Sequence, residues 1–70
     1  MQIFVRNLYG PNLTLRMNPH DTVRRLKEQI ETMEAIKPAL QKLAFNGWLL
    51  EDNRLLSDYT IKDSSTIDMI

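Results

Sequence analysis

The sequence predicts an α+β fold in which a mixed sheet is covered on one face by one main helix. Two observations predict it. Thr22 to Glu34, reading TVRRLKEQIETME, carries the only long helical pattern, and it has a single apolar stripe. On both sides of it, apolar residues alternate in short runs separated by Asn, Gly and Pro. A helix with one apolar stripe needs another layer to lie against, and only short strands are available to form it.

The helix follows from spacing. Val23, Leu26, Ile30 and Met33 fall on one side of a 3.6-residue repeat. Asp21 and Thr22 precede them, where a side-chain oxygen can accept from an unpaired backbone N–H. Arg24, Arg25, Glu28, Glu31 and Thr32 occupy the opposite face. The two arginines lie in the first turn, against the helix dipole, and read as a solvated face before they read as a contact for an acidic partner. Pro38 restricts the residue before it and lacks a donor, so the helix should stop near Ala35 or Ile36.

The strands follow from alternation. Met1, Ile3 and Val5 alternate with Gln2 and Phe4; the chain should reverse through Asn7 to Asn12, and Leu13, Leu15 and Met17 should return antiparallel. Gln41, Leu43 and Phe45 mark a third strand, Asn46-Gly47 a turn, and Trp48 to Leu50 a short return. Glu51 to Asp63 is polar and irregular, anchored by Leu56, Tyr59 and Ile61, and Thr66 to Ile70 alternates once more. The predicted core is Met1, Ile3, Val5, Leu13, Leu15, Met17, Val23, Leu26, Ile30, Leu43, Leu50, Leu56, Ile61, Ile67 and Met69, with Met33 and Ile36 at its edge.

Composition bounds the function. Seventy residues make one domain, residues 1–70, and a 43% hydrophobic content suffices for a small core. Without cysteine, neither disulfides nor thiolate metal sites are available. Nine basic side chains balance nine acidic ones, which argues against nucleic-acid and membrane-surface partners, since both reward surplus positive charge. No apolar run is long enough to span a bilayer. There is one histidine, His20, no glycine-rich phosphate loop and no paired metal ligands, so no catalytic, cofactor or metal site is expected. Ser57, Ser64 and Ser65 beside Asp58 and Asp63 are explained by turns and caps.

MQIFV at the start, Gly10-Pro11-Asn12, the Pro19-to-Thr22 entry to the helix, and LEDNRLLSDYTI followed by SST resemble the ubiquitin family without a gap over the whole chain. The resemblance implies a β-grasp fold. It also implies a partly buried Lys27–Asp52 pair and a Tyr59 hydroxyl that ties the Glu51–Asp58 loop to the backbone. The family's chain-building lysine positions hold Arg6, Pro11, Gln29, Met33, Trp48 and Asp63; Lys27 remains but faces inward, and Lys37, Lys42 and Lys62 stand elsewhere. The family's diglycine tail is not in this sequence, whose glycines are Gly10 and Gly47. The expectation is therefore a non-conjugated, monomeric, ubiquitin-like protein-interaction domain. It would be part of a larger cytoplasmic or nuclear protein, docking it to ubiquitin receptors, the proteasome or related partners. The alternative is a modifier, or an engineered variant, whose tail has been removed.

The family's main contact surface maps onto Leu8, Lys42, Ala44, Gly47, Asp68 and Ile70, with Trp48 and Leu49 beside it. Ala44 and Asp68 shrink the centre of that patch and add negative charge, for which a buried Trp48 would compensate. The competing reading folds Trp48 over its own hairpin, onto Leu50 or Phe45. A second family patch maps onto Gln2, Phe4 and Thr14, although a lone surface aromatic is common.

Overall fold

The computed structural model describes residues 1–8 and 10–70. The main helix, α1, spans Val23–Glu34. Thr22 Oγ1 accepts from the Arg25 N–H at 3.1 Å, so Thr22 is the cap. Asp21 acts one step earlier, its carboxylate accepting from the Asn18 N–H at 2.8 Å and fixing the connector. The first two helical N–H groups, of Val23 and Arg24, donate to the carbonyls of Arg54 and Asp52, so a loop distant in sequence satisfies donors that a helix start leaves open. Arg24 and Arg25 lie 3.5 and 4.0 Å from the Glu28 carboxylate, which offsets their unfavourable place in the dipole. The helix ends at Ala35, which takes the left-handed conformation at φ 57° and donates to the Glu31 carbonyl.

Five strands form one sheet: β1 (Gln2–Asn7), β2 (Leu13–Arg16), β3 (Leu43–Phe45), β4 (Trp48–Leu49) and β5 (Thr66–Met69). Their spatial order is β2-β1-β5-β3-β4, with β1 and β5 parallel and the other pairs antiparallel. This is the expected mixed sheet with one main helix. Strand β1 runs two residues beyond its apolar alternation because β5 pairs with it as far as Asn7. The reversal expected across Asn7 to Asn12 includes Tyr9, which lies outside the described residues.

Every residue of the predicted core is buried except Met1, which is half-buried and packs on the core together with Ile36, Phe45 and Tyr59. Met33 points away, 47% exposed. One expectation is corrected. Gln41 is not the start of the third strand, because the chain first makes a 3₁₀ turn over Pro38–Leu40 and β3 begins at Leu43. The Gln41 side chain is buried, and its amide nitrogen donates to the carbonyls of Lys27 and Ile36 at 2.9 and 2.8 Å. It fastens the helix to the segment that follows it.

The pair implied by the resemblance is present: Lys27 Nζ lies 2.6 Å from Asp52 Oδ1, with side chains 10% and 45% exposed. The Tyr59 hydroxyl accepts from the Glu51 N–H at 2.9 Å. Leu56 to Tyr59 forms a second 3₁₀ turn, closed by Asp58 Oδ2 accepting from the Leu55 N–H at 3.0 Å.

Candidate functional site

Alternation sends one side of each strand to the core and the other to solvent. Register then decides which outward residues meet. Ala44 pairs with Asp68 on one side and with Leu49 on the other, and Arg6 pairs with Asp68. The Ile70 N–H donates to the Lys42 carbonyl at 2.8 Å, which continues the β3–β5 pairing by one residue. A contiguous outward surface results, crossing the sheet as Leu49, Ala44, Asp68 and Arg6, with Lys42 and Ile70 beside it. Leu49 and Ile70 are exposed, as is Leu8 in the turn after β1. Gly47 sits in the β3–β4 turn at φ 82°, a conformation that disfavours any side chain, and Asn46 before it is at φ 52°.

Asp68 is not the bare negative charge that the sequence suggested. Arg6 Nε lies 2.6 Å from Asp68 Oδ1. That hydrogen bond, reinforced by Coulomb attraction, holds the Arg6 guanidinium above its ordinary pKa. Sequence reasoning missed Arg6 because only the parallel β1–β5 register places it beside Asp68. Its outward place in β1, two residues after Phe4, was the available signal. The surface is thus apolar at Leu8, Leu49 and Ile70, internally neutralised at Arg6–Asp68, and basic at Lys42.

Trp48 falls on the other side of the hairpin. It pairs with Phe45, whereas Leu49 pairs with Ala44, so Trp48 and Leu49 project to opposite sides. At 69% exposed it does not fold down onto Leu50 or Phe45. It lines a depression of about 400 Å³ with Glu51, Arg54, Asp58 and Tyr59 among the other walls. A second depression, of about 340 Å³, runs past Ile36, Leu40, Gln41, Met69 and Ile70.

Gln2, Phe4 and Thr14 are brought together as expected. Phe4 stands between Thr14 and Thr66, and Gln2 is one pair along, opposite Arg16. Phe4 is half-buried by these neighbours, and the Gln2 backbone is held by Asp63 Oδ1 at 2.8 Å and the Ser64 N–H at 2.7 Å. Among the described residues, no group of three His, Cys, Asp or Glu side chains is placed to hold a metal ion. No helix is long and apolar enough to cross a membrane.

Comparison with known proteins points in one direction. The Ubiquitin family matches residues 3–70. The chain is 33% identical over 70 residues to the ubiquitin-like protein NEDD8 of Dictyostelium discoideum, covering all of this chain and 91% of that protein. It is 31% identical over 70 residues to ubiquitin-like protein 1 of Schizosaccharomyces pombe, covering 90% of that protein. It is also 33% identical over 70 residues to AN1-type zinc finger protein 4 of Mus musculus, where it spans only 10% of the length.

Proposed function

The chain belongs to the ubiquitin family, and from that premise we propose that it is a protein-recognition module working through the outward face of its sheet. The observation that carries this reading is the contiguous surface of Leu8, Lys42, Ala44, Leu49, Asp68 and Ile70, three of whose members are large apolar side chains left in water. Each such side chain, once fully covered by a partner, contributes about 1.5–3 kcal/mol. Gly47 leaves the approach to the hairpin open. The partners are proteins carrying ubiquitin-binding motifs or proteasomal receptors, and the module docks a larger cytoplasmic or nuclear protein onto them. No reaction is assigned to the chain.

Arg6 and Asp68 at the centre of the face present a paired dipole, so a partner group that competes for either one must break that pair. This favours partners whose polar groups bridge the two over partners bearing a lone charge. Gln2, Phe4 and Thr14 form a smaller second contact at the far end of the same face.

The test is a titration of ubiquitin-interacting-motif peptides into isotopically labelled protein, followed by backbone amide shifts. Ala44, Gly47, Leu49, Asp68 and Ile70 should move together, and Leu49→Ala should weaken the binding. Silence at these amides while another face responds would refute the assignment.

A further inference from the structure

The depression beside Trp48 lies off the outward sheet face and has chemistry of its own. Its aromatic wall is Trp48, 69% exposed, which leaves the indole face open. Three charged side chains line it: Glu51, Arg54 and Asp58. The one cation is already engaged, with Arg54 Nε 3.6 Å from Glu51 Oε2. Asp58 spends Oδ2 on the Leu55 N–H at 3.0 Å, and no protein donor is recorded at its other oxygen. The Tyr59 hydroxyl is held against the Glu51 N–H. Two carboxylates against one guanidinium leave the depression with a surplus negative charge beside an open π-face.

That combination selects a cation, and among protein cations it favours a flat one. A guanidinium can stack on an indole while its edge donates to a carboxylate; an ammonium carries the charge but has no plane to lay on the ring. A carboxylate-bearing partner is repelled. We propose that this depression receives an arginine side chain of a partner protein, with the guanidinium over Trp48 and its N–H groups directed at Asp58. The site is independent of the outward sheet face, and either can fail alone.

The experiment uses the blocked tripeptide acetyl-Gly-Arg-Gly-amide and its citrulline counterpart, which keeps the shape and removes the charge. Trp48 is the only tryptophan of the chain, so intrinsic fluorescence reports the site directly, with the amide shifts of Asp58 and Tyr59 as a second readout. The arginine peptide should perturb both saturably, and the citrulline peptide should perturb neither at equal concentration. Trp48→Ala should weaken the shifts at Asp58 about fivefold. Asp58→Asn should weaken them about threefold while keeping an acceptor for the Leu55 N–H, and Leu49→Ala should leave them unchanged. Equal responses to the two peptides, or an arginine response that survives Trp48→Ala, would overturn the proposal.

Discussion

Replacing Asp52 with alanine should cost more than replacing Lys27 with methionine, although the two substitutions break the same 2.6 Å contact. The asymmetry comes from burial. With Lys27→Met the aliphatic stem is kept, and the carboxylate left behind is 45% exposed, so water and Arg24, 3.9 Å away, take over its solvation. The loss is then one charge-assisted hydrogen bond in a partly wet site, about 1 kcal/mol. With Asp52→Ala the ammonium stays behind with its side chain 10% exposed and no carboxylate in contact. An unpaired charge in a buried site costs about 3–5 kcal/mol. The half-exposed partner position admits water and brings this down to about 2–3 kcal/mol. Urea unfolding of the two single variants and the double variant measures all three values. The double variant should lie close to Lys27→Met alone, because removing the amine removes the penalty. Equal costs for the single variants, or a double variant as unstable as Asp52→Ala, would refute the argument from burial.

Three further outcomes are expected. Thr22→Ala should lower stability by about 1 kcal/mol, as the Arg25 N–H loses its acceptor, while Thr22→Ser should cost only a fraction of that in the same urea assay. Ala35→Gly should raise the unfolding free energy by about 1 kcal/mol, since the left-handed φ of 57° strains alanine and not glycine. Gly47→Ala should do the reverse by a similar amount, about 1 kcal/mol. No atom lies within 4 Å of the added Cβ, so that cost is purely conformational, and the thermal midpoint should fall while the amide spectrum stays native.

Much of this fold is written in side-chain spacing. The stripe Val23, Leu26 and Ile30 and the alternations at Ile3, Val5 and at Ile67, Met69 place their residues in the core because periodicity reports on which face is dry. What escaped is carried by the backbone or by register. Gln41 looks like one more strand residue because its partners are the carbonyls of Lys27 and Ile36, and carbonyls leave no mark on sequence. The Arg6–Asp68 pair depends on a parallel alignment of segments about sixty residues apart, which local pattern does not encode. Trp48 was placed beside the outward patch by proximity in the chain, and the pairing with Phe45 turns it to the other side. The Lys27–Asp52 and Tyr59 contacts were accessible only through family resemblance, since neither has a periodic signature.

The sheet is two hairpins held together by a keystone. Strands β2 and β1 form one, β3 and β4 the other, and β5 is hydrogen-bonded to both. A lone hairpin is at best marginal in water, so neither half has a refuge of its own until residues 66–69 arrive between them. Folding therefore waits for the last strand to be synthesised, and a protease cut between Ser64 and Thr66 that released that strand would undo both halves at once. Partial unfolding of one edge is correspondingly hard to separate from loss of the whole, which makes this small module behave as a single all-or-none unit.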